Sequence, residues 1–147
     1  MANRIHSKGA FRYEEFDAGE AGIYPGMLLE VNSSGDVIKH NTEGARAEKM
    51  FAQEDALQGK TVDDVYTANN PVGCILPVSG SEVNALIEDG QDISIGEELI
   101  SAGNGCLKSA SDLESGETLS EVIAIAAEAC DLTGSGTSNT LAAVRVK

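Results

Sequence analysis

Short apolar runs, parted by Gly, Pro, Asn, Asp and Ser, recur along most of the chain. Ile23-Tyr24-Pro25-Gly26 opens the main body with turn residues. Met27–Val31 is interrupted by Asn32-Ser33-Ser34-Gly35-Asp36 and answered by Val37–His40, so 27–40 predicts a β-hairpin. Lys49–Gln53 reads as a third strand, and Val72–Val78 as a strong one whose Pro77 suggests a sheet edge. Thr61 followed by Asp63 and Asp64 predicts a short helical turn. Val83, Ala85 and Ile87 alternate with polar neighbours, the period of a half-buried strand. Leu99–Ser101 and Cys106–Ser109 flank Asn104-Gly105, a strong short-range hairpin signal. Leu141–Val146 reads as a closing strand.

The stretch 118–130 satisfies two periods. Leu119, Val122, Ile123, Ala126, Ala127 and Cys130 fit a helix, with Thr118 and Glu121 as a capping box. Ile123, Ile125, Ala127 and Ala129 alternate as a strand. Strand is preferred, because a terminal strand at 141–146 needs a neighbour. The expected fold is therefore mainly β: a small β-barrel or tulip-like domain of eight to ten short strands, with at most one or two short helices.

Composition agrees. The 147 residues are 41% hydrophobic but only 4% aromatic, with no Trp, so Val, Ile, Leu and Ala must build the core. A chain of this size suits one domain. The net charge of −14 argues against nucleic acid or an anionic membrane as partner, since both require basic patches. No apolar run approaches the ~20 residues of a bilayer span, and no signal-peptide core follows Arg4 and Lys8. Cys74, Cys106 and Cys130 are odd in number and widely spaced, which points to reduced, buried thiols and a reducing cytosol.

The charge is unevenly placed. Residues 1–12 hold Arg4, Lys8 and Arg12 without an acid, whereas Glu14, Glu15, Asp17 and Glu20 follow immediately. Phe11, Tyr13 and Phe16, half of the six aromatics, also cluster here. Residues 1–20 are accordingly read as an extended arm and 21–147 as the β-rich body. The arm is either a solvated tail or a partner-binding strap, and its aromatics favour the strap. Its candidate contact residues are Arg4, Ile5, His6, Lys8, Phe11, Arg12, Tyr13 and Phe16. Truncation at residue 20 is then expected to leave a folded body.

Chemistry-bearing patterns are weak. His6 and His40 stand alone, no Cys-x-x-Cys or His-x-x-x-His spacing occurs, and neither a metal nor a cofactor is expected. A Cys–His pair could still meet in space. Adjacent carboxylates at Asp63-Asp64, Glu88-Asp89 and Glu97-Glu98 point to opposite faces if on strands, so they read as solvated surface. Gly134-Ser135-Gly136 is half of a dinucleotide loop, with no third glycine and no following helix. Asn32-Ser33-Ser34 fits a glycosylation sequon. No catalytic constellation emerges.

Two resemblances add to this reading. Asp89-Gly90-Gln91-Asp92-Ile93-Ser94-Ile95-Gly96-Glu97-Glu98-Leu99 resembles the strand-turn rhythm of biotinyl and lipoyl carrier domains, which present a modified Lys at the next hairpin tip. Here that tip is Asn104-Gly105, and Lys108 stands three residues beyond it. A carrier or small-molecule-binding module, modified at Lys60 or Lys108, is the alternative function.

The wider resemblance spans residues 22–130. Gly22-Ile23-Tyr24-Pro25-Gly26-Met27-Leu28-Leu29-Glu30, Met50-Phe51-Ala52-Gln53-Glu54-Asp55 and Leu57-Gln58-Gly59-Lys60-Thr61-Val62-Asp63-Asp64-Val65-Tyr66 look like tailed-phage head decoration (cement) proteins of the lambda type. The stretch Pro77 to Leu107, ending Ser101-Ala102-Gly103-Asn104-Gly105-Cys106-Leu107, continues the match. The resemblance implies a non-enzymatic virion protein made in the host cytoplasm. It would sit on the outer capsid surface as a homotrimer at local three-fold positions, bound to the major capsid protein.

Overall fold

The computed structural model describes residues 2–134 and 140–147. They form thirteen short strands and two 3-10 turns. The strands are β1 His6–Lys8, β2 Phe11–Asp17, β3 Leu28–Val31, β4 Val37–Lys39, β5 Met50–Ala52, β6 Pro71–Pro77 and β7 Glu82–Ile87. They continue as β8 Asp92–Ile93, β9 Glu98–Ser101, β10 Leu107–Ser109, β11 Ala124–Ala126, β12 Cys130–Asp131 and β13 Thr140–Val146. The 3-10 turns are Ala56–Gln58 and Ala110–Asp112. The fold is mainly β, and its centre is a closed five-stranded barrel. The ring runs β7-β10-β9-β11-β13 and closes through β13 on β7, with β1 pairing beside β10 along the same edge of β7. A second sheet, ordered β2-β6-β5-β3-β4, packs against it.

Side-chain period explains the barrel. Val83, Ala85 and Ile87 of β7 and Ala142, Val144 and Val146 of β13 take alternate positions and share one core with Leu99, Leu107 and Ala124. The second sheet lies between two cores, so its central strands are apolar at consecutive positions. Leu28, Phe51 and Ile75 join the barrel core, while their neighbours Leu29, Met50 and Cys74 join a second core with Val72, Leu86 and Cys106. This double burial is why Met27–Leu29, Met50–Ala52 and Cys74–Leu76 read as unbroken apolar runs. Gly26 makes the junction possible. Its φ is +90°, and a Cβ there would stand 2.5 Å from Leu141 Cδ2 and 3.1 Å from the Asn84 carbonyl oxygen.

Several sequence expectations need correction. Pro77 does place the end of its strand at an edge, but β6 as a whole is internal: it lies between β2 and β5, and β5 pairs only with its Cys74 and Ile75. Pro71 and Pro77 therefore sit beyond the reach of β5, where their missing N–H groups cost nothing. The helical turn expected at Thr61 is a simple turn closed by the Asp64 N–H on the Thr61 carbonyl oxygen at 3.2 Å, and the 3-10 turn lies earlier. The Thr118 and Glu121 capping box caps no helix, since 124–126 is a strand between β9 and β13. Strands number more than the eight to ten expected because two-residue pairings such as β8 with β12 leave almost no periodic signal.

The largest correction concerns the N-terminus. Residues 2–20 are not a free arm. Ile5 is fully buried in the barrel core, and Ala18 is buried in the second core. β1 pairs antiparallel with β7, and β2 pairs antiparallel with β6 through seven consecutive residue pairs. An extended chain must satisfy each N–H and C=O, and β6 and β7 supply partners within the same protomer. Truncation at residue 20 would remove two strands and a core side chain rather than an appendage.

Candidate functional site

The eight residues expected to make contacts divide by burial. Ile5 faces inward, and its N–H donates to Glu54 Oε2 at 3.0 Å. Phe16 is half-buried against the second core. Ile5 is therefore not available to a partner. Arg4, Lys8, Phe11, Arg12 and Tyr13 are exposed, and His6 is half-buried.

Arg4, His6, Lys8 and Phe11 form a ridge along β1 and the start of β2, whereas Arg12 and Tyr13 lie on opposite faces of β2. Asn84 anchors the start of this ridge, its N–H donating to the Ile5 carbonyl at 2.7 Å and its Nδ2 to the Arg4 carbonyl at 2.7 Å. The His6 ring lies 4.4 Å from that of Phe11 and bonds through Nε2 to the Gly9 carbonyl at 2.9 Å. Lys8 extends toward Glu82 at 3.4 Å. Phe11 pairs across the sheet with Pro77, and the Val78 N–H donates to the Ala10 carbonyl at 2.9 Å. Phe11 is 37% exposed and Val78 57%, so an apolar patch adjoins the His6 ring. Pro77 and Val78 escaped the sequence reading because they lie more than sixty positions from Phe11, and only strand pairing joins them.

Tyr13 leans inward over β6. Its hydroxyl would stand 2.9 Å from a Cβ at Gly73, so a larger residue there would push the ring aside. Burial raises its phenol pKa first, and the neighbouring carboxylate of Glu15 adds to the rise. On the opposite face of β2, Arg12 and Glu14 form an exposed ion pair at 3.3 Å. Beside Arg4, a cleft of about 330 Å³ is lined by Glu54, Lys60, Thr61 and Asp63.

Other candidate groups have structural partners. His40 is buried, with Nδ1 2.6 Å from Ser101 Oγ and Nε2 2.9 Å from the Arg46 carbonyl. Ser101 is fully buried, so no substrate could reach its hydroxyl. Burial pushes the Cys74 and Cys106 thiols up to about 12, the reverse of what a nucleophilic cysteine requires. Asp64 caps the turn at Thr61, whose backbone N–H and hydroxyl hold its carboxyl below the usual range. The Ser109 hydroxyl and the Ser94 N–H do the same for Glu97. Asn32 Oδ1 accepts from the Ser34 and Asp36 N–H groups at 2.9 and 3.0 Å, so this sequon asparagine shapes the β3–β4 turn.

Lys108, the carrier-type candidate, is buried and ion-paired with Glu43, so it is not displayed at the β9–β10 tip. Lys60 is exposed at the cleft. The sequence Gly134-Ser135-Gly136 extends outside the described residues. Among the described residues, no group of three or more His, Cys, Asp or Glu side chains is placed to hold a metal ion, and no helix is long and apolar enough to cross a membrane. Comparison with family models and with curated proteins finds no match.

Proposed function

We propose that this chain is a capsid decoration protein. It would bind the outer surface of an icosahedral phage head, bridge major capsid subunits and hold the expanded shell against internal DNA pressure. The sequence resemblance to cement proteins motivates the reading. The observation that carries it is the ridge of Arg4, His6, Lys8 and Phe11, widened by Pro77 and Val78, on a stiff and otherwise acidic barrel. Exposed rings and unburied cations are common interface anchors. The ridge is built on paired strands, so docking would order little additional chain and lose little entropy. Weak individual contacts repeated over a shell would add through avidity.

The test is co-sedimentation of the purified full chain with expanded, undecorated icosahedral phage heads. Saturable binding is expected, with heads surviving heating that opens undecorated ones. A Phe11→Ala/Lys8→Glu variant should fold normally and bind at least tenfold more weakly. Absence of binding by the native chain, or full binding by the variant, would overturn the reading.

A further inference from the structure

β2 leaves one backbone edge open. The Ala18 N–H donates to the Asn70 carbonyl and the Val78 N–H to the Ala10 carbonyl, each at 2.9 Å. In antiparallel pairing these bonds place the even-numbered residues of β2 toward β6. The N–H and C=O groups of Phe11, Tyr13 and Glu15 therefore point away from it. At the C-terminal end this outer edge is covered, because Ala18 bridges Val37 and the Gly19 N–H donates to the Val37 carbonyl at 2.7 Å. Among the described residues, nothing pairs with the window that remains, centred on Tyr13. β2 contains no proline or bulge; its protection is charge alone, in Arg12, Glu14, Glu15 and Asp17, and a partner of complementary charge removes that protection.

The charges along this window run from basic to acidic. Lys8 and Arg12 lie at the N-terminal end, and Glu14, Glu15 and Asp17 at the other. A second copy running antiparallel places each basic end on an acidic one, whereas a parallel copy places like on like. Only one register fills the window on both copies. With the two-fold axis at Tyr13, Phe11 faces Glu15 of the copy, Tyr13 faces Tyr13, and Arg12 faces Glu14 twice. Moving the axis by one residue sets Glu14 against Glu14 or Arg12 against Arg12, which is repulsive. Tyr13 leans over Gly73 and leaves the edge clear.

We infer that two copies of this chain pair through β2, antiparallel about a two-fold axis at Tyr13, joining their five-stranded sheets into one of ten strands. The contact is isologous and closes after two copies. It goes beyond the head-binding reading and does not depend on it. It also departs from the three-fold association that the family resemblance implies.

Sedimentation and mass photometry of the full chain should show a species of twice 15.3 kDa at micromolar concentration. Arg12→Glu creates two like-charge pairs and should raise the dimer dissociation constant by roughly tenfold. The charge swap Arg12→Glu/Glu14→Arg should restore it. Both positions are exposed, so thermal unfolding of the separated protomer should be unchanged. In a Cys130→Ser background, Tyr13→Cys should oxidise to a covalent dimer, since paired residues about 5.5 Å apart suit a disulfide. A monomeric or trimeric native chain, a dimer indifferent to Arg12→Glu, failure of the swap to rescue, or no crosslink at position 13 would each overturn the inference.

Discussion

Glu43 reaches from the connection between β4 and β5 to pair with Lys108, whose side chain on β10 is only 4% exposed. The same connection is held by the Lys49–Glu121 pair at 2.8 Å and by the contacts of His40 with Ser101 and the Arg46 carbonyl. A long, poorly patterned loop is thereby fixed to the barrel by polar groups. Removing one partner leaves a buried charge uncompensated, so Glu43→Gln should cost about 3 kcal/mol in chemical denaturation. The double variant Glu43→Gln/Lys108→Met should recover most of that loss. An unchanged midpoint for the single variant would show that the pair is solvated.

Ile5 and Phe11 lie six positions apart and should respond oppositely to truncation. Ile5→Ala empties part of the barrel core and should destabilise by about 2–4 kcal/mol. Phe11→Ala, at an exposed edge, should cost under about 1 kcal/mol. Equal, small losses in urea titrations would mean that the N-terminus does not pack as described.

Thiol labelling separates the three cysteines. With thiols pushed up to about 12 by burial, Cys74 and Cys106 should resist iodoacetamide at pH 8 until denaturant is added. Cys130 is half-buried, and its thiol is raised mainly by burial, with Glu128 and Asp131 adding to the rise. It should label slowly in the native state, so intact mass should show a single adduct. Two or three native adducts would contradict the packing of the second core.

Acid should weaken the fold through Glu121. Burial works against its ionised form, but the Lys49 ammonium and the Ala47 N–H outweigh it and hold the carboxyl below the ordinary range. A depressed folded pKa contributes stability above the unfolded value of about 4.3 and loses it as pH falls through the folded value. Glu121→Gln should therefore cost about 1 kcal/mol at pH 7, and the gap to the native chain should shrink toward pH 3. A gap independent of pH, measured by thermal unfolding, would remove the ion pair from the account.

The proposed contact ridge was only partly legible in the sequence. Clustered rings and cations marked Phe11, Arg4 and Lys8, but the same clustering took in Ile5, which is buried in the barrel core, and Phe16, which is half-buried against the second core. Residues 2–20 have only a few inward side chains, too few to show a period, so they looked detached. Pro77 and Val78 gave no warning, because a ridge shared between two strands has no spacing in one dimension.

Local rules determined the strands and turns. Asn104-Gly105, the break at 32–36 and the alternation through β7 are set by backbone sterics and a two-residue side-chain period, both of which act over a few residues. Tertiary structure decided which strands became neighbours. It turned 124–126 into a strand by giving its N–H and C=O groups partners on β9 and β13, buried both faces of the second sheet, and drew the N-terminal residues onto β6 and β7. Those choices depend on pairing backbone groups and burying apolar area across long sequence separations, and no local window contains that information.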